Sequence, residues 1–351
     1  MSGLRIGVAG IRDPYTTAVY YLSAADAGHR ASSLHRVDDD ACRNLDLLIV
    51  VDPFLQDLRA LRKLRCPSVG VLIDVHRTLD MRLAFARYLD HVMVAQPAYV
   101  DAFKADGHDS VHWLPLGCDP DVHFSSGLTR DIDVGFVGKM GAPGTDRNET
   151  LTRVLSAFRT NDTQRSYLPR EMGETYSRSK IVFNKSIGGD LNMRFFEALG
   201  AGALLVTDRI GNGLAEIGRE GEHFVLYDTA DEAIEKITFY LRHEAERAAI
   251  ARAGQALAFE RHTYAHRLQQ ILDTVAANAG AMAPARVAPS RQERLWRSEF
   301  MRRRGAGPGE FLQLVADGHA SRAALSNGMI GVARHARGVA RRAAASLKGQ
   351  A

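Results

Sequence analysis

The chain has very little cysteine. Only Cys42, Cys66 and Cys118 occur among its 351 residues, and no two of them have the CxxC spacing. An odd, sparse set of cysteines argues against a disulfide framework and against a thiolate zinc site, and it is typical of proteins in a reducing compartment. We therefore expect a cytoplasmic protein without disulfide bonds.

Long apolar runs are also missing. No stretch reaches the roughly 18 apolar residues that a membrane-spanning helix needs, so we expect no membrane span. The opening MSGLRIGVAG leads directly into a strand-like run. It lacks the basic start and long apolar segment of a secretory signal, so none is expected. With 46% hydrophobic and 25% charged residues, the composition is that of a globular protein, and the length predicts two domains.

The net charge of +4 is unevenly distributed. Residues 276–351 contain 13 Lys and Arg against 4 Asp and Glu, whereas the rest contains 32 against 37. In this tail, apolar residues recur every three or four positions, with arginines largely on other faces. The apolar set is Met329, Val332, Ala336, Val339, Ala343 and Leu347, and the arginines are Arg334, Arg337, Arg341 and Arg342. Two readings stay open: a basic amphipathic helix on a membrane surface or polyanion, or a solvated, partly disordered extension.

The first third of the chain alternates strand-like and helix-like segments. Short apolar strands separated by helices predict a parallel sheet covered on both faces, which is a doubly wound domain. The predicted strands are Arg5–Ala9, Leu45–Val51, Val69–Ile73, His91–Ala95 and Val111–Leu114. The predicted helices are Thr17–Ala27, Leu55–Leu64, Leu79–Tyr88 and Ala98–Ala105.

A turn-rich segment, 113–131, interrupts the alternation, and a second strand–helix cycle follows. We therefore predict two tandem Rossmann-like domains, 1–122 and 123–275, and a basic tail, 276–351, that is partly helical or disordered. One strand expected between Phe158 and Arg170 is missing or very short, so the second sheet is predicted to be small.

The stretch NMRFFEALGAGALLVTD, residues 192–208, predicts a short helix followed by a buried strand. The start of such a helix, at the strand ends of a parallel sheet, suits a diphosphate, and Arg194 can add a charged contact there. The Glu197 carboxylate can accept hydrogen bonds from two neighbouring hydroxyls of a ribose. The simpler alternative makes Asn192 or Asp190 an N-cap and pairs an exposed Arg194 with Glu197.

This stretch resembles the donor-site signature of GT-B-type glycosyltransferases, in particular the CgeB-like (spore-maturation type) family. The resemblance extends over about residues 65–275, through DVGFVGKMGAP, YSRSKIVFNKS, GNGLAEIGREGEHFVLYD and WLPLGCDPDVH. It implies a transferase that holds a nucleotide-sugar donor, most commonly UDP-linked, in the second domain and an acceptor mainly in the first. It assigns Glu197 to the donor ribose and places Asn192 and Arg194 near the diphosphate.

Three further residues are predicted donor contacts. Gly138 follows the first strand of the second domain and would let the backbone approach the phosphates, while Lys139 and Arg147 would add positive charge. No metal or cofactor is expected in this architecture. The sequence does contain a D-x-D pair, Asp131 and Asp133, but it leads into an apolar strand.

The catalytic candidates are Asp74, His76 and Asp190. Asp74 and His76 follow a first-domain strand and could supply the base that an inverting transfer needs. Related retaining families have a second glutamate eight positions before Glu197; that position is Gly189 here, so the neighbouring Asp190 is the candidate for the sugar. Retention and inversion both stay open. Asp13 and Tyr15 are expected on the same edge as an acceptor loop, whereas Asp90 and His91 begin a strand and lie at the wrong end.

Three other functions are compatible with parts of the sequence pattern. A non-catalytic nucleotide-sugar-binding protein would keep the fold, and a hexose-nucleotide epimerase would need paired acid and base groups that cannot be assigned. A nucleic-acid-binding protein anchored by the tail lacks the interleaved aromatic pattern of such surfaces. The sequence does not specify the sugar, the oligomer or the acceptor, which could be a glycan, lipid, protein or nucleic acid.

Overall fold

The computed structural model describes residues 3–10, 16–35, 37, 39–52, 61, 64–281 and 283, together with 308, 312, 326, 329–330 and 332–337 of the tail. Asp13, Tyr15 and most of the predicted helix Leu55–Leu64 lie outside the described residues, as does most of the tail.

The first domain contains a six-stranded sheet in which every pair of neighbouring strands is parallel. Its order is β2-β1-β3-β4-β5-β6. The strands are β1 (Arg5–Ala9), β2 (Arg30–Leu34), β3 (Leu47–Val51), β4 (Ser68–Leu72), β5 (His91–Val94) and β6 (Val111–Trp113). The central strands β3, β4 and β5 are buried along their whole length, as expected for a sheet covered on both faces.

Strand β2 was not predicted from the sequence. Its residues, RASSL, are mostly polar, and only Leu34 is buried. It lies at the edge of the sheet, so its backbone forms hydrogen bonds with only one neighbouring strand, β1. Most of its side chains remain accessible. An edge strand of this kind has no apolar pattern from which to recognise it.

The second domain contains a four-stranded parallel sheet in the order β10-β9-β8-β7. The strands are β7 (Ile132–Gly135), β8 (Ser179–Asn184), β9 (Leu204–Asp208) and β10 (Val225–Tyr227). The strand expected between Phe158 and Arg170 is reduced to one parallel bridge between Thr160 and Val134. The prediction of a small second sheet is therefore confirmed.

Helices connect the strands in both domains. They are α1 (Ala18–Asp26), α2 (Asp39–Cys42), α3 (Leu79–Ala86), α4 (Val100–Ala105), α5 (Pro120–His123), α6 (Asp146–Ser156), α7 (Pro169–Ser177), α8 (Met193–Gly200), α9 (Leu214–Ile217), α10 (Ala230–Arg242), α11 (Glu244–Arg261) and α12 (Tyr264–Ala277). Two 3-10 helices are Val75–Arg77 and Pro97–Tyr99. Within the described residues, no helix is both long and apolar enough to cross a membrane.

The last helix, α12, returns to the first domain. Tyr264, Leu268 and Ile271 join the apolar core beneath β1 and β3. The ring of Tyr264 stacks on that of Tyr20 in α1, with centroids 4.8 Å apart. The predicted boundary at residue 275 thus falls within a helix that follows the second domain in sequence but packs on the first.

The two domains also meet along an apolar seam. Ile73 and Trp113, at strand ends of the first sheet, share a core cluster with Met193 and Leu214 of the second domain. Gly213 has a left-handed φ of 81°, and a Cβ at this position would overlap the Trp113 ring. The carboxyl ends of the two sheets therefore face each other, and the region between them is called the cleft below.

Candidate active site

Helix α8 begins at the edge of the second sheet that faces the cleft. Asn192 is its N-cap: its Oδ1 accepts from the Phe195 amide at 3.3 Å, and its Nδ2 donates to Asn184 Oδ1 at 3.2 Å. Phe195 and Phe196 bury the opposite face of the helix in the domain core. This packing fixes the direction in which the polar side chains of α8 point.

Arg194 is buried, with 9% of its surface exposed. Its Nη2 donates to the Val137 carbonyl at 2.7 Å and its Nη1 to Asn184 Oδ1 at 2.8 Å, while Nε lies 3.2 Å from both Val137 O and Tyr176 Oη. The guanidinium lies over the Phe136 ring, 4.3 Å from the centroid. Each terminal nitrogen keeps a second hydrogen with no acceptor among the described residues. Arg194 therefore anchors the loop after β7 and retains donors for an anion.

The loop after β7 lies against that guanidinium. Gly138 has a φ of 144°, which disfavours residues with a Cβ, and a Cβ here would overlap Arg194 Nη2. The side chain of Lys139 is exposed, and its carbonyl accepts from Arg147 Nη2 at 3.1 Å. Gly138 is thus the residue that lets this loop approach Arg194 closely.

Arg147, on the first turn of α6, completes a pair of cationic groups. Its Nη1 donates to the Lys185 carbonyl and thereby ties the loops after β7 and β8 together. Burial and the neighbouring Arg194 lower the pKa of Arg147 to about 10. Two guanidinium groups held this close repel each other, and a bound anion would relieve that repulsion.

The loop after β8 rests on a buried carboxylate, Asp208, at the end of β9. Asp208 Oδ1 accepts from the Ser186 amide at 2.8 Å and Oδ2 from the Ser186 hydroxyl at 2.6 Å. Lys185 Nζ lies 2.9 Å from Asp146 and 3.9 Å from Asp208. These bonds hold the backbone that leads to Gly188, Gly189 and Asp190.

Glu197 is the most deeply buried acidic group of the site, at 6% exposure. Burial raises the pKa of its carboxyl to about 7, and Arg194 opposes this shift only in part. No hydrogen-bond donor reaches its side-chain oxygens from the residues that the structure describes. It lies close enough to Tyr20 and Tyr264 to raise the pKa of both phenols. A carboxylate desolvated in this way keeps the capacity to accept hydrogen bonds from hydroxyl groups.

His76 faces the second domain from the end of β4. A Cβ at Gly188 would lie 3.9 Å from His76 Cδ2, so the ring borders the loop after β8. Both ring nitrogens are buried, and neither has a hydrogen-bond partner within the described part of the chain. An imidazole placed like this can exchange a proton with a bound molecule or donate to it.

Asp190 and Asp74 belong to the same cluster. Burial raises the pKa of Asp190, Asp74 raises it further, and His76 and Arg147 oppose the shift. Asp190 Oδ1 accepts from the Ile187 amide at 2.6 Å, so this residue also closes its own loop. Asp74 lies 3.6 Å from Arg77 and is half-buried. The structure thus brings the two predicted first-domain residues and Asp190 together across the cleft.

The D-x-D pair lies away from this cluster. Asp131 accepts from Arg178 Nε at 2.8 Å, and Asp133 pairs with Lys180 Nζ at 2.7 Å. Among the described residues no group of three or more His, Cys, Asp or Glu could hold a metal ion. The other pair set aside, Asp90 and His91, bonds to Ser68 and Ser110 at the opposite end of the first sheet.

Sequence reasoning missed several residues of the site. Asn184 Oδ1 accepts hydrogen bonds from both Arg194 and Asn192. It could have been identified from the sequence as a polar residue that ends a buried strand. Tyr176, near the end of α7, bonds to Arg194 and to both backbone groups of Val137, and nothing in its local pattern marks it. Tyr20 on α1 and Tyr264 on α12 lie near enough to Glu197 to interact with it electrostatically, although both are distant from it in sequence.

Comparison with protein families gives one match, in the second domain. Residues 137–273 match the family described as glycosyl transferase-like. This segment of the chain is therefore similar to that family. It contains Gly138, Arg147, Arg194 and Glu197, so the cationic pair and the buried carboxylate lie within the matched part. A search of the curated proteins finds no match to the chain.

Solved structures with the same architecture cover most of the chain. A structure of Anabaena HepE in complex with UDP and glucose has a TM-score of 0.58 at 15% identity, over 78% of this chain and 100% of that one. Sucrose-phosphate synthase from Thermosynechococcus elongatus has a TM-score of 0.56 at 10% identity, over 79% and 99% of the two chains. At these identities the likeness concerns the fold, and the predicted GT-B architecture of two Rossmann-like domains is confirmed.

Proposed function

We propose that this glycosyl transferase-like protein moves a sugar, a hexose in the simplest case, from a nucleotide-sugar donor to an acceptor hydroxyl. The observation that supports the proposal is the set of buried or half-buried, incompletely paired charges on the second-domain side of the cleft. Arg147 and Arg194 flank the Gly138 loop, and Glu197 lies one turn further along α8. Two cations beside a carboxylate match a diphosphate joined to a ribose.

The diphosphate is assigned to the space next to Gly138. There it would receive the second hydrogens of Arg194, the charge of Arg147 and the amides at the start of α8. Lys139 is exposed and could reach the outer phosphate. Glu197 would accept hydrogen bonds from the ribose 2′- and 3′-hydroxyls, which supply the donors that this carboxylate lacks within the described residues.

Transfer breaks the bond between the sugar C1 and the diphosphate oxygen, and the nucleoside diphosphate leaves with the electron pair. A bond then joins C1 to the acceptor oxygen, and the acceptor proton must be removed. His76 is the proposed base in an inverting reaction, because its ring nitrogens have no partner among the described residues and its ring borders the loop at Gly188. Asp190, across the cleft, would contact the sugar.

Stabilisation of the leaving diphosphate is assigned to protein charges, without a metal ion. The paired cations and the helix start supply positive charge where negative charge develops. Asp131 and Asp133, the formal metal motif, are occupied by Arg178 and Lys180. The nucleotide is proposed to be UDP, in keeping with the UDP complex of HepE, and the CgeB-like subfamily is proposed from the sequence motifs.

A thermal-shift screen of UDP, GDP, dTDP and their sugars tests the proposal. A ligand at 100 times its Kd stabilises the folded state by about 2.7 kcal/mol, which raises Tm by about 4 °C for a chain of this size. Glu197→Gln, which keeps the side-chain shape, should reduce the shift by about half, as a tenfold loss of affinity implies. Glu246→Gln, an exposed position on α11, serves as the matched control. If no nucleotide stabilises the wild-type protein, the proposal is wrong.

Binding alone would also fit a non-catalytic nucleotide-sugar-binding protein. Release of nucleoside diphosphate, measured with and without candidate acceptors, separates the two functions. A transferase releases more product when its acceptor is present, whereas a binding protein releases none. A product that retains the nucleotide with an inverted sugar centre would indicate an epimerase instead.

A further inference from the structure

The tail carries apolar side chains that the folded body does not cover. Leu312 is 65% exposed, Met329 63% and Ile330 41%. Leu312 and Met329 have larger exposed fractions than any of the exposed large apolar side chains described in the two domains. Exposed apolar residues that occur close together, unlike scattered ones, indicate a surface that contacts another partner.

Met329 lies on a helix with a mainly apolar face, and Ile330 falls outside that face, between Arg334 and Arg337. Residues 329–330 and 332–337 are helical. At 100° per residue, Met329, Val332, Ala333 and Ala336 fall within one arc of about 100°, and Arg334 and Arg337 fall outside it.

We propose that this tail helix binds the surface of an anionic lipid bilayer. The apolar arc would enter the boundary between headgroups and acyl chains, and the arginines would contact lipid phosphates. The charge distribution supports this occupant: the tail is strongly basic, whereas the body holds 32 Lys and Arg against 37 Asp and Glu. An anionic surface would therefore attract the tail and would not attract the rest of the protein.

The exposed apolar arc favours lipid over nucleic acid as the partner. A nucleic acid needs cations and stacking groups, and the described residues of this helix contain no aromatic ring except His335. Docking of the helix on the acidic body of the same chain is the main competing arrangement. Both alternatives predict different outcomes in the test.

The test is co-sedimentation of the full chain with vesicles of phosphatidylcholine, with or without phosphatidylglycerol. Binding should require phosphatidylglycerol and weaken as salt is added. Arg334→Gln with Arg337→Gln should weaken it about 30-fold, which corresponds to about 1 kcal/mol per arginine. The matched control is Arg242→Gln with Arg252→Gln, two exposed arginines of the body, which should change little.

A second variant tests the apolar contact. Met329→Gln should weaken vesicle binding several-fold, whereas Leu168→Gln, which alters an exposed leucine of the second domain, should not. Absence of wild-type binding to phosphatidylglycerol vesicles would overturn the proposal. Binding of random-sequence DNA would also overturn it, if the DNA bound as tightly as the vesicles and if Met329→Gln did not weaken that binding. A Tm lowered by the tail variants would instead indicate docking on the body. The nucleotide-induced thermal shift should be unchanged in all of them, so the two proposals fail independently.

Discussion

The two sides of the cleft are built differently. On the second-domain side, Arg194, Glu197 and Asp208 are buried, and Arg194 and Asp208 are tied to neighbouring loops by several hydrogen bonds. On the first-domain side, Asp74 and Arg77 are half-buried or exposed, and the nitrogens of His76 have no partner in the described residues. The side proposed to hold the donor is thus tied to its own loops by hydrogen bonds, and the side proposed to hold the acceptor has fewer such bonds among the described residues.

This difference has an energetic consequence. Buried charges that are bonded to backbone carbonyls cannot be removed without leaving their partners unpaired, so the second-domain side combines stability with function. The side chains on the first-domain side make few hydrogen bonds to loops. Replacing them should therefore affect catalysis more than the stability of the fold. Substitutions on the second-domain side should therefore lower both stability and activity, whereas substitutions on the first-domain side should lower activity with little loss of stability.

The largest effect is expected from Arg194→Ala. It removes the Arg194 hydrogen bonds to the Val137 carbonyl and Asn184 Oδ1 and the packing of the guanidinium on Phe136, and it should lower the free energy of unfolding by about 3 kcal/mol or more. Urea unfolding measures this change. Arg252→Ala, on an exposed face of α11, should change it by no more than about 0.5 kcal/mol. Equal stability of the two variants would remove the claim that Arg194 anchors the loop after β7.

Glu197→Gln should raise stability at alkaline pH. Burial raises the pKa of the folded-state carboxyl to about 7 from a usual value of 4.5, so the folded protein binds the extra proton between these values. As pH rises from about 4.5 to 7, ionisation of Glu197 should therefore lower the free energy of unfolding. Above pH 7 the total loss should be about 3 kcal/mol. Glu197→Gln removes that loss. Unfolding of both proteins at pH 5 and pH 8 should show a larger gain for the variant at pH 8; no difference between the two pH values would contradict the burial argument.

His76→Ala should separate catalysis from binding. Loss of a general base typically lowers turnover by about 100-fold or more, whereas the affinity for UDP should remain within about twofold, because the histidine lies outside the predicted diphosphate site. Steady-state kinetics and a UDP titration measure the two effects. An equal loss of UDP affinity would show that His76 contributes to donor binding. The two sides of the cleft would then not differ in the way described above.

Arg147→Gln should have a smaller effect, confined to donor binding. Arg147 adds charge beside Arg194, so its loss should weaken UDP binding by about 10-fold and uridine binding hardly at all. Isothermal titration with both ligands measures the difference. An equal loss for uridine would show that the residue acts through the loop structure and not through phosphate charge.

No effect is expected from chelation. Because Asp131 and Asp133 pair with Arg178 and Lys180, EDTA should leave turnover unchanged, and Asp133→Asn should not alter UDP affinity. Restoration of activity by added Mg²⁺ or Mn²⁺ after chelation would show that the donor side needs a metal.

The sequence predicted the fold well because buried strands have a strong local signal. Apolar runs such as LLIVV and LLVTD located β3 and β9 within two residues, whereas the polar edge strand β2 escaped. The placement of Glu197 beside Tyr20 and Tyr264 could not be predicted, since it depends on the return of α12 across the domain boundary. Likewise, the bonds of Arg194 to Val137 and Asn184 depend on how three loops meet, which no local pattern encodes.

The central claim is that Glu197 holds the ribose of a bound nucleoside diphosphate. Titration of UDP and its 2′,3′-dideoxy analogue into the wild-type protein and Glu197→Gln forms a double-mutant cycle for that contact. We expect the analogue to lose at least about 10-fold in affinity with wild type, as hydrogen bonds to a charged group imply, and to bind the variant about as well as UDP does. Equal affinity of the wild-type protein for both ligands, or no affinity for either, would contradict the claim.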